Sequence, residues 1–240
     1  SVLNSLPVHA PPSLSVTWHS HPSPTCFAVR TAERVDDFPV IVAPPIWSGF
    51  THYNKGFPGT ISLRIETFLN LVGDVCRSIY DNGFKRIVVI NGHGGNNAPN
   101  HVVRDTIAEE NIFVVAFSWW QSVTKEMMEW SEADKGSVGH GGEWETSVQL
   151  YLREHLIAKE LMNDDVFSNP FSPELRNFCG FSERRRDTRD ITGTMGNALV
   201  ASKEKGGRVF NLVVDRLEHL VREYHVQPVR KYREFGSHCL

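Results

Sequence analysis

The chain has 240 residues, of which 40% are hydrophobic, 22% charged and 10% aromatic, with a formal net charge of −3. That length buries a substantial core in one domain. The mildly acidic balance excludes a broad nucleic-acid footprint, and no stretch approaches the roughly 18 consecutive apolar residues of a membrane span.

The first 37 residues, crowded with Pro and Ser in "LPVHAPPSLSVTWHSHPSPTC", have no clear period. They lack the charged segment and apolar core of a signal peptide. "FAVRTAERV" (27–35) then reads as a helix. Three apolar runs follow, "FPVIVAPP" (38–45), "KRIVVINGH" (85–93) and "NIFVVAFSWW" (111–120). Each is nearly continuous, as in parallel strands covered on both faces. Between the first two, Phe68, Leu69, Val72, Val75, Cys76 and Ile79 recur at helical spacing, and Gly83 stands where a C-cap belongs. The segment 100–111 predicts a second helix with Val102, Val103 and Ile107 inward. Two more are expected over 143–156 and 206–225. Strand and helix alternating at this spacing predicts βαβ units in an α/β domain.

The segment 160–205 reads as a long excursion of the kind that shapes a pocket or a subunit contact. Its basic run "ERRRDTRD" (183–190) is interleaved with acids and reads as a solvated loop or rim. Four scattered cysteines, Cys26, Cys76, Cys179 and Cys239, form no CxxC pair and fit reduced thiols in a cytoplasmic protein.

The chemistry gathers at strand ends, where open α/β sheets bind ligands. His93 follows the second strand directly in "INGHGGN" (90–96), with glycines around it. A phosphate loop is the rival, but the stretch matches neither GxGxxG nor GxxxxGK[ST]. "SVGHGGEWETS" (137–147) repeats the setting: His140 among glycines, three residues before Glu143. Glu143 would open the next helix, where negative charge is favoured. Imidazole and carboxylate ligands suit zinc, manganese or iron in an open catalytic site.

"GFPGTISL" (56–63), "GFKRIVVINGHGGN" (83–96), "GHGGEWETS" (139–147) and "TGTMGNALVASKEKG" (192–206) together resemble the creatininase (creatinine amidohydrolase) family, in family order. The resemblance implies a three-layer α/β/α sandwich with a mostly parallel sheet, forming a single domain over 1–240. It also implies a homo-oligomer, commonly a hexamer, acting on a small-molecule amide or cyclic amide. The expected cofactor is a divalent metal, zinc with manganese or iron as alternatives, in one or two ions at the sheet's carboxyl edge. Carried across, His93 matches the metal-binding histidine of the NGH motif. Glu143 fills the role of a glutamate that some members carry at the position of Gly95. His140 matches the histidine that handles the proton on the leaving nitrogen, and Trp120 an aromatic bordering the substrate. Gly95 and Gly139 stand where creatininase proper has acids, which points away from creatinine itself.

One departure stands out. Members carry ExHGxHLPxxTD near the N-terminus, whereas here "TWHSHPSPTC" occupies the region. That register puts Thr17 at the glutamate, His19 at a metal-binding histidine and Cys26 at the bridging aspartate, with His21 close by. A second reading is therefore a folded homologue without turnover, acting as a binding or assembly protein.

Overall fold

A computed structural model describes residues 13–18 (backbone), 23–55, 60–133, 139–164, 194 and 196–229. His19, His21, Cys179, Cys239, the basic run 183–190 and most of the 160–205 excursion lie outside the described residues. The chain divides into two compact units. One comprises residues 1–50, 63–122 and 214–240, the other 51–62 and 123–213. Where the sequence reading expects a single domain over 1–240, the chain twice leaves the sheet unit and returns to it.

The first unit holds a four-stranded parallel sheet made of β1 (Ser13–Trp18), β2 (Val40–Val42), β3 (Arg86–Asn91) and β4 (Val114–Ser118). The order is β2-β1-β3-β4, and β1 pairs with β3 over six residues, from Ser13 with Arg86 to Trp18 with Asn91. The segment without a period therefore contains a central strand, a correction to the sequence reading. "SLSVTW" alternates polar and apolar residues, so it lacks the continuous apolar run that marks β3. Its strand conformation comes from pairing on both edges.

All six residues of β3 are buried. Ile87 and Val89 pack with α2 (Ile65–Asp81) and α3 (Asn97–Ala108) through Phe68, Val72, Cys76, Val103 and Ile107. Burial pushes the Cys76 thiol up to about 12, so it is an inert core residue. Val88 and Ile90 alternate onto the opposite face and are also buried. Helix α1 (Ser23–Arg34) packs on β1 and β2. It is joined to the final helix by Arg34, which lies 2.7 Å from Asp215 and 2.8 Å from Glu218. Gly83 takes φ 97° just past the end of α2, a left-handed conformation that favours glycine. Val102, expected inward, is 51% exposed. It cannot share a stripe with its neighbour Val103, and the buried row is Asn100, Val103 and Ile107.

The second unit is helical and contains α4 (Thr124–Trp130), α5 (Glu143–Arg153) and the first part of α6 (Lys203–Val226). A Cβ at Gly206 would sit 1.9 Å from the Ser147 carbonyl, so only glycine permits this approach of α6 to α5. No described helix is long and apolar enough to cross a membrane.

His225, in the last turn of α6, stacks on Phe38 with ring centroids 3.7 Å apart. Burial, followed by the nearby Arg86 charge, pushes its pKa below the usual histidine value, although Asp37 pulls the other way. The folded protein therefore binds this proton less readily than the unfolded chain. Stability contributed by neutral His225 should be intact above the unfolded pKa of about 6.5 and decline as pH falls through it. Urea unfolding at a series of pH values should show that decline, and His225→Gln should flatten it.

Candidate active site

In the first unit, the carboxyl ends of β3 and β4 define one edge. Asn91 and Ser118 are register partners. The chain continues two residues beyond each to His93 and Trp120. His93 is 7% exposed and has extended backbone, φ −137° and ψ 126°. A short 3-10 turn, Gly94–Asn96, carries the chain from it into α3. Beneath the loop lies a polar cluster. Asn91 Nδ2 lies 2.7 Å from Ser118 Oγ and 2.8 Å from Asn97 Oδ1, and Ser118 Oγ also donates to Asn97 Oδ1. The Asn96 side chain accepts the Phe50 N–H at 3.0 Å, tying the loop to the segment that follows β2. Trp120 is half-buried and stands edge-on to Trp119, which packs against Phe27 of α1. Cys26 lies half-buried in the first turn of α1, and Thr17 pairs with Ile90 near the end of β1.

In the second unit His140 and Glu143 flank the start of α5, each with its own partners. His140 precedes α5 in a turn whose Gly141 takes φ 65°. Glu145, at the third helical position, accepts the Gly141 N–H at 2.8 Å, one residue before the N-cap Gly142. The same carboxylate lies 3.7 Å from His140 Nδ1. Thr146 donates to the Gly141 carbonyl at 2.8 Å and completes the turn.

Glu143 opens α5, as the sequence predicts, and is 0% exposed. Its Oε1 accepts Lys205 Nζ at 2.6 Å and the Glu132 N–H at 3.1 Å. Its Oε2 accepts the Ser131 hydroxyl at 2.6 Å and the Ala133 N–H at 3.4 Å. Burial would push this carboxyl up, but Lys205, Ser131 and the Glu132 N–H outweigh it and hold the group below the usual carboxylate range. Lys205 is itself saturated, since its ammonium also meets the Val200 carbonyl at 2.7 Å and Glu132 at 2.9 Å. The Gly206 approach to Ser147 places that lysine here.

Among the described residues, no three His, Cys, Asp or Glu side chains cluster as a ligand set. His93 fits a divalent ion by donor chemistry and position, as a sheltered imidazole at a strand end. Glu143 fits one once Lys205 releases Oε1, because all four of its acceptor positions are now engaged. Sequence reasoning missed Asn91, Ser118, Glu145 and Lys205. Only the spacing of "GHGGEWE" could have signalled one of them, by placing Glu145 in reach of the turn.

These features define an α/β/α protein with a glycine-set histidine on its sheet's carboxyl edge and a histidine–carboxylate pair at a helix start. The chain belongs to the creatininase (creatinine amidohydrolase) family, whose sequence profile matches residues 24–221. It is 28% identical over 225 residues to the creatinine amidohydrolase of Pseudomonas putida, covering 83% of this chain and 80% of that one. It is 25% identical over 219 residues to the 3-dehydro-scyllo-inosose hydrolase of Thermotoga maritima, covering 83% and 70%. Among solved structures, a manganese form of creatininase superposes with a TM-score of 0.75 at 24% identity, covering 90% of this chain and 92% of that one. A Zn–Zn form of a creatininase variant shares the fold.

Removing Lys205 would leave the Glu143 carboxylate buried without its counter-charge. Lys205→Met should therefore destabilise the protein by about 3–5 kcal/mol, measured as a lower urea midpoint. Glu143→Gln in the same chain should restore part of the loss.

Proposed function

We propose that the protein is a metal-dependent hydrolase that cleaves a C–N bond in a small amide or cyclic amide. The observation that carries this reading is His93, sheltered at the carboxyl end of a fully buried strand within a chain of this family. The proposed metal is zinc, with manganese or iron as alternatives, and one or two ions. His93 is a proposed ligand. Glu143 is a second, in exchange for Lys205, and His19, outside the described residues, a third.

A bound divalent ion supplies one chemistry here: it lowers the pKa of water so that hydroxide is available near neutral pH. The remaining work falls to the chain. His140 is suited to giving a proton to the departing nitrogen, because an amine leaves poorly as an anion and imidazole exchanges protons near neutral pH. Glu145, 3.7 Å from His140 Nδ1, is placed to orient the ring. Trp120 is the proposed wall of the substrate pocket. Gly95 and Gly139, standing where creatininase proper has acids, point to a substrate other than creatinine. By family resemblance the proposed assembly is a homo-oligomer, a hexamer, and the proposed location is cytoplasmic.

Metal analysis of the purified protein should find zinc, manganese or iron, and His93→Ala should lose it. An unchanged metal content in that variant would overturn the assignment. Against a panel of cyclic amides, His140→Ala should retain metal and fall in kcat by about 10²–10⁴. Turnover equal to wild type would remove His140 from the reaction.

A further inference from the structure

We infer that Asn91 is the positioning residue for His93, an inference that rests on His93 being a metal ligand. Asn91 ends β3 and is 0% exposed. Its carboxamide brackets His93 from both sides. Oδ1 accepts the His93 N–H at 3.1 Å, and Nδ2 donates to the His93 carbonyl at 2.8 Å. With only Gly92 between the two residues, one planar group fixes both peptide units that flank the His93 Cα. The direction in which the imidazole leaves the backbone is set by those two peptide planes.

The carboxamide is itself held. Nδ2 faces Ser118 Oγ and Asn97 Oδ1 as well, so its plane is fixed by β4 and the start of α3. The far end of the loop is fixed separately, where Asn96 bonds the Phe50 N–H. Gly49 leaves the space for that contact: a Cβ there would lie 2.6 Å from Asn96 Nδ2. The loop's three asparagines thus tie His93 to the segment after β2 and to the end of β4, and Asn91 alone of the three bonds His93 through its side chain.

Metal ligation is sensitive to this kind of support, since an imidazole must hold its direction for the ion to find it. Asn91→Asp keeps the shape and the acceptor for the His93 N–H. It replaces the donor with an oxygen facing the His93 carbonyl, so one side of the bracket becomes repulsive. Asn91→Ala removes both sides.

The test measures zinc affinity of the full chain by competition with a chromophoric chelator. Cobalt absorption in the visible range reports ligand geometry on the same variants. Asn91→Asp, which fills the same volume, should bind zinc about 10–100-fold more weakly and shift the cobalt spectrum. Ser118→Ala, which trims the cluster but leaves the bracket, should stay within about threefold of wild type. Wild-type affinity in both Asn91→Asp and Asn91→Ala overturns the inference, as does an equal loss in Ser118→Ala, which would mark a general packing effect. His93→Ala separates the two levels. If it keeps its metal, the ligand reading itself falls. If it loses metal while the Asn91 variants do not, only the positioning role falls.

Discussion

A strand buried on both faces can end in a reactive loop only if the loop satisfies its own polar groups. β3 is buried along its whole length, and His93 follows it at 7% exposure. An unpaired peptide group at such a place costs about 1–3 kcal/mol. The Asn91 carboxamide meets that requirement with one donor side and one acceptor side, two residues from the groups it serves. Gly94 stands in open space, where a Cβ would meet nothing within 4 Å, while the asparagines supply the bonds that a tight turn cannot make with itself.

The second unit solves a different version of the same problem. Glu143 is charged and fully buried, which is tolerable only with a counter-charge and complete hydrogen bonding. The helix N-terminus contributes partial positive charge, the 131–133 segment contributes a hydroxyl and two N–H groups, and Lys205 contributes a full charge. Gly206 makes that last contribution possible, since any side chain there would push α6 from Ser147. "EKG" in the sequence is therefore a matched pair of features, a cation and the space that delivers it.

What was legible in the sequence follows from where the physics is local. β3 could be read because double burial requires a continuous apolar run, and α2 because its stripe repeats at three and four. His93, His140 and Glu143 could be placed at loop-to-helix junctions because glycines announce the turns. β1 could not be read, because "SLSVTW" becomes a strand only beside β3 and β2, partners distant in the chain. Lys205 was hidden for the same reason. It meets Glu143 across 62 positions of sequence, and no local pattern encodes that distance. Val102 shows the opposite failure, an apolar residue counted as core where the helical period puts it outside.

The departure at Thr17 and Cys26 looks different once β1 is in place. Thr17 pairs with Ile90 and Trp18 with Asn91, so the altered segment still completes the sheet edge from which His93 projects. Backbone pairing does not depend on side-chain identity, so the fold can persist while the side chains at this edge change. In the register proposed from the family resemblance, a threonine and a thiol would bring less negative charge than a glutamate and an aspartate. On the proposed reading, fewer carboxylates would balance less cationic charge, and an ion held by His93 would rely more on that imidazole. The weight placed on the direction of His93, and on the asparagine that sets it, rises accordingly.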